Sequence, residues 1–90
     1  MRFDNDAVPE CLVRLRRIEG QVRGVIRMIE TNRDCGEVIH QLAAVRRAMD
    51  RAGMRLLSAQ LQQCLINQED SPGSDGFDQE RFERLFLMLT

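Results

Sequence analysis

The residues in this chain best suited to chemistry carry sulfur. Cys11, Cys35 and Cys64 are its three cysteines, and His40 is its single histidine. A thiolate can act as nucleophile, redox group or soft-metal ligand. The spacing narrows these options. No two cysteines form CxxC, so zinc-finger and thioredoxin-type arrangements fail. There is no paired acid and base, no Gly-rich phosphate loop and no Ser, His, Asp set, which argues against an enzyme. In SAQLQQC, residues 58–64, Gln60 lies one helical turn before Cys64 and on the same face. A histidine at that place would complete a metal half-site with Cys64. A glutamine is a poor ligand for a soft ion.

The elements that must position these residues are helices. Pro9 suits a first helical turn. From there Cys11, Leu15, Ile18, Val22, Val25 and Ile29 recur at alternating intervals of four and three, which predicts a helix over about 9–31. TNRDCG interrupts the stripe. Asp34 and Glu37 then have the spacing of a capping box, and Val38, Leu42, Val45, Met49, Ala52, Leu56 and Ala59 continue a second stripe over about 35–68. QEDSPGSDG, residues 68–76, reads as a loop. Asp78 caps a last helix over about 78–89 with Phe82, Leu85, Phe86 and Leu89 on one face. No strand pattern occurs. The expectation is one all-α domain over 1–90. Its antiparallel hairpin needs a second copy to bury two wide apolar stripes, giving a four-helix bundle and, one step further, a dimer of dimers.

On these elements Cys35 is the first residue of helix 2, where unpaired N–H groups and the helix dipole favour a thiolate. Arg33 adds to that effect, and Asp34 and Glu37 oppose it. Cys35 and Cys64 are 29 residues apart, roughly 43 Å along one helix, so one straight helix cannot bring them together. Two antiparallel copies of helix 2 can. Cys11 falls on the helix 1 stripe and reads as core. His40 follows Cys35 by five residues, roughly 140° around the helix, so the two do not readily share an ion.

The net charge of −1 conceals an uneven distribution. Residues 11–55 hold ten arginines against five acids, the rest three against nine, and there is no lysine. Arg14, Arg16, Arg17, Arg23 and Arg27 fall on helix 1, and Arg46, Arg47, Arg51 and Arg55 on helix 2. On a dimer they form a positive face suited to DNA phosphates; the alternative is a salt-bridged, solvated surface. No apolar run approaches the roughly 18 residues of a membrane span. The acidic N-terminus is unlike a signal peptide, so a cytoplasmic location is expected.

LRRIEGQVRGVIRMIE, DCGEVIHQLAAVRRAMD and LLSAQLQQC together resemble the CsoR/RcnR family of bacterial transcriptional repressors over residues 9–66. The resemblance implies an all-helical homodimer or homotetramer that binds operator double-stranded DNA and releases it when an inducer occupies a site between subunits. It implies DNA contacts from Arg14, Arg16, Arg17, Arg23, Arg47, Arg51 and Arg55. Copper sensors of the family resemble this chain at Cys35 and Cys64 but carry histidine at the place of Gln60. The nickel and cobalt sensors use further histidines. The formaldehyde sensors share Cys35 and have a proline just after the initiator Met, where this chain has Arg2. The persulfide-sensing branch keeps both cysteines and an amide at Gln60. That branch implies a di- or polysulfide bridge from Cys35 to Cys64 of a neighbouring subunit, formed by a persulfide or polysulfide inducer with no metal or cofactor. Gln60 would support the site, as would Glu80, by analogy with a glutamate in the last helix of copper sensors. The alternative is a Cu(I) sensor that uses Cys35 and Cys64 without the histidine. A helical interaction module with no role on DNA is the third reading.

Overall fold

The computed structural model describes residues 2–70 and 79–90, with backbone alone for 67–70. It contains three helices and, among the described residues, no strand: α1 (Ala7–Glu30), α2 (Cys35–Asp70) and α3 (Gln79–Leu89). Helix α1 starts two residues earlier than its apolar stripe predicts, because Asn5 supplies the acceptors. Its Oδ1 takes the Ala7 N–H at 2.9 Å and its C=O takes the Val8 N–H at 3.2 Å. Pro9 stays within the first turn, where its missing N–H leaves no intrahelical bond unmade.

The break at TNRD is a Schellman turn. Arg33 N–H donates to the Met28 C=O at 2.9 Å and Asn32 N–H to the Ile29 C=O at 3.1 Å. Asn32 takes the required left-handed conformation, φ 58°. Asp34 then caps α2, accepting the Gly36 N–H at Oδ2 (3.0 Å) and the Val38 N–H at its C=O (3.2 Å). The reciprocal half of the expected box is absent. Glu37 is held instead by Arg33, Nε to Oε2 at 3.0 Å. Helix α2 continues to Asp70, into the predicted loop. The rest of that loop and the predicted Asp78 cap lie outside the described residues.

The hairpin is antiparallel: Cys11 near the start of α1 packs with Ala52, and with Ile18 they form the buried centre, flanked by Leu15, Val45, Ala48 and Leu56. Toward the turn Val25 and Val38 are also buried. At 1.5 Å per residue, α2 with 36 residues outruns the 24-residue α1 by roughly 18 Å. The overhang is covered from two directions. Helix α3 folds back along it, with Phe82 buried, and continues beside the hairpin core, where Leu89 lies against Gly53. The N-terminal arm, residues 2–6, lies alongside. The molecule measures 57 × 24 × 13 Å, and its smallest dimension is close to one helix diameter. A single layer of helices cannot enclose a core, so Leu12, Val22, Ile26, Ile29, Ile39, Leu42 and Met49 stay at least 40% exposed on α1 and α2. Among the described residues no helix is long and apolar enough to cross a membrane.

Candidate thiol site and basic face

Cys35 and Cys64 occupy opposite environments. Cys35 opens α2 and is exposed, while Cys64 sits on the overhang, 5% exposed. One unbroken helix separates them, so the structure keeps them apart within a chain, as the spacing requires. No cysteine is in a disulfide. Arg33, the cation beside Cys35, is engaged by Glu37. His40 is exposed. Cys11 is buried and donates its thiol to the Ala52 C=O at 3.9 Å, consistent with the core role read from its position. Among the described residues, no three His, Cys, Asp or Glu side chains of one chain converge on a possible ion.

The structure does bring Gln60 and Cys64 together. Gln60 is 4% exposed, the one buried polar side chain among the described residues. Its Nε2 donates to the Arg2 C=O at 2.9 Å and approaches Cys64 Sγ at 3.7 Å, and its Oε1 accepts from Asn5 Nδ2 at 3.1 Å. Burying an amide is costly unless both ends are bonded, and here both are, largely by the arm. One turn on, Gln63 Nε2 donates to Asp4 Oδ1. Phe3 lines a cavity of about 240 Å³ with Leu57, Gln60, Phe82 and Leu85. Sequence reading missed these arm residues. Their contacts to α2 span 55 to 59 positions, and no periodicity encodes such pairs. Gln60 and Gln63 just before Cys64, and a polar arm before α1, were the available signals. Glu80, expected to support the site, is exposed at the start of α3 and makes no hydrogen bond or ion pair with Cys64 or Gln60 within the chain.

The arginines divide into two groups. Glu10 Oε1 accepts from Arg14 Nε at 3.1 Å and from Arg55 Nη1 at 2.5 Å, tying α1 to α2. Arg23 faces Glu19 at 3.8 Å. Arg16, Arg17, Arg46, Arg47 and Arg51 are exposed and make no ion pair with the described residues. The second group leaves more charge available to a partner than the first.

The structure aligns with the nickel-responsive transcriptional regulator InrS at a TM-score of 0.64 and 30% identity, over 99% of this chain and 89% of that one. The fold is therefore that of a small helical transcriptional regulator. The chain belongs to the family of metal-sensitive transcriptional repressors, whose model matches residues 8–89; this supports the CsoR/RcnR resemblance. It is 45% identical over 65 residues to the copper-sensing repressor RicR of Mycobacterium tuberculosis, covering 70% of this chain and 68% of RicR. It is 42% identical over 54 residues to the copper-sensing repressor CsoR of Bacillus subtilis, covering 60% of this chain and 54% of that protein. Against CsoR of Mycobacterium bovis it is 31% identical over 74 residues, covering 82% and 59%. The chain thus spans between about half and two thirds of the length of these curated relatives.

Proposed function

We propose that this chain is an operator-binding repressor that works as an antiparallel dimer or a pair of dimers, and that Cu(I) held by Cys35 of one subunit and Cys64 of its neighbour is the inducer. The observation that carries this reading is a thiol at each end of one unbroken α2. An antiparallel neighbour then sets an exposed Cys35 against a buried Cys64, twice per dimer. The uncovered apolar side chains on α1 and α2 give that neighbour a surface to bury. The copper-sensing relatives favour Cu(I) over the metal-free reading that Gln60 first suggests.

The donor chemistry fits. Thiolates are soft donors that suit Cu(I), and two suffice for a soft monovalent ion. Gln60 turns its N–H toward Cys64 Sγ and commits its oxygen to Asn5, so it shapes the site without joining the ligand set. A bound ion would supply a link between the α2 helices of two subunits. Arg16, Arg17, Arg47 and Arg51, with Arg14, Arg23 and Arg55 beside their acids, form the face offered to DNA phosphates. Glu80 has no assigned part in this site.

One observation favours a second inducer. An amide at position 60, fully bonded by the protein, leaves a dithiol that needs no metal. A persulfide could then pass its sulfane sulfur to Cys35, releasing a thiol. Attack by Cys64 of the neighbour on Cys35 Sγ would expel hydrosulfide and leave an intersubunit disulfide; longer sulfur bridges follow from further sulfane transfer. Anaerobic Cu(I) titration and persulfide treatment separate the two. One tight Cu(I) per Cys35–Cys64 pair with release of duplex DNA supports the copper reading. A covalent dimer after persulfide, lost in Cys35→Ser and in Cys64→Ser, supports the sulfur reading. DNA binding that does not weaken with salt overturns both.

A further inference from the structure

We infer that the N-terminal arm, Arg2 to Asn5, is a strap that closes over Cys64, and that Gln60 is the positioning residue that fastens it. The inference rests on the reading of Cys64 as an inducer-binding thiol. Among the described residues three hydrogen bonds tie the arm to α2, all through the same two side chains. Gln60 Nε2 donates to the Arg2 C=O at 2.9 Å, Asn5 Nδ2 donates to Gln60 Oε1 at 3.1 Å, and Gln63 donates to Asp4. Gln60 Nε2 also faces Cys64 Sγ at 3.7 Å. The residue that holds the strap therefore also touches the thiol beneath it. Helix α1 does not extend over this part of α2; the arm and α3 lie along it instead, and Cys64 there is 5% exposed.

The strap is built to lift. Its residues Arg2, Phe3 and Asp4 are exposed, and Phe3 retains 55% of its surface in solvent. Little apolar area therefore holds the arm down. Gln63 Oε1 is buried with no hydrogen-bond partner, a cost of the closed arrangement that water would relieve on opening. Lifting exposes a few polar groups to water and leaves the hairpin core of Cys11, Ile18 and Ala52 intact. Local openings of this kind lie at the low end of a protein's stability range. The consequence is selectivity by access: an inducer reaches Cys64 only when the strap is up, and the fastening at Gln60 sets how often that occurs.

The test is the alkylation rate of each cysteine by iodoacetamide, mapped by peptide mass spectrometry on the full chain without metal. Deletion of residues 2–4, which leaves Asn5 to cap α1, should speed Cys64 about fivefold or more while Cys11 stays slow. Gln60→Ala and the milder Asp4→Ala should act in the same direction, and Gln60→Asn should fall between Ala and the parent. An unchanged Cys64 rate in the deletion overturns the strap. So does a parallel rise at Cys11, which would report general loosening. Neither metal nor DNA enters this readout, so its failure is distinguishable from failure of the proposed inducer.

Discussion

Glu10 offers the sharpest test of the basic face. Among the described residues it is the one acid that binds arginines of both long helices, Arg14 at 3.1 Å and Arg55 at 2.5 Å through a single oxygen. DNA phosphates would compete for the same two guanidinium groups. Glu10 and Arg55 are well exposed, at 57% and 59%, and Arg14 is half-buried at 35%. The intrahelical pair is then worth about 0.3–0.5 kcal/mol and the interhelical one about 0.2–1 kcal/mol. Glu10→Gln should therefore cost no more than about 1.5 kcal/mol of stability, read by urea denaturation at moderate salt. On DNA the sign reverses. With the acid gone, each guanidinium that gains a phosphate steepens the slope of log K against log salt by about 0.9, so both together add about 1.8. Fluorescence anisotropy of a labelled duplex across a salt series measures this slope directly. Tighter binding with a steeper slope is the expected result. An unchanged slope and affinity, in a variant shown by circular dichroism to be folded, would place Arg14 and Arg55 off the DNA face and refute the reasoning.

Other consequences are smaller in scope. Ile18→Ala removes a side chain that is 4% exposed at the centre of the hairpin; it should lose about 2–4 kcal/mol in urea denaturation, as large-to-small core changes do. Asn32 is fixed at φ 58°, so Asn32→Val should destabilise the turn by about 1–2 kcal/mol while Asn32→Gly stays near neutral. A thermal melt of the three proteins checks the order. At Gly20 an added Cβ meets nothing within the chain. Gly20→Ala should stabilise α1 by about 0.5–1 kcal/mol, and a loss of DNA binding or oligomerisation alongside that gain would show that another molecule approaches there. Cys35→Ser and Cys64→Ser should each abolish tight Cu(I) binding by the dimer, whereas Cys11→Ser should retain it with lowered stability, read by competition with a Cu(I) chelator.

The three helices were legible in sequence because apolar spacing and the break at TNRD are local signals. A stripe of intervals four and three defines a helix wherever it packs, and Asp34 caps α2 with its own side chain. Ends were less legible. Helix α1 begins at Ala7 because Asn5 happens to turn its side chain back, and a pattern of apolar residues carries no information about that bond. The separation of Cys35 from Cys64 was also readable, since it follows from helical rise alone. What surrounds Cys64 was not. That Gln60 is buried, bonded at both ends and engaged with Arg2 and Asn5 depends on how far α2 overhangs α1 and where the arm then falls. Likewise the sequence displays a ridge of arginines, but only the docking of α1 on α2 brings Glu10 to Arg55 and so distinguishes neutralised charge from available charge. Periodicity and rise are properties of a single helix and survive in the sequence. The partner of a polar side chain is chosen by tertiary packing, and for Gln60 that choice turned an apparent missing ligand into a fastening.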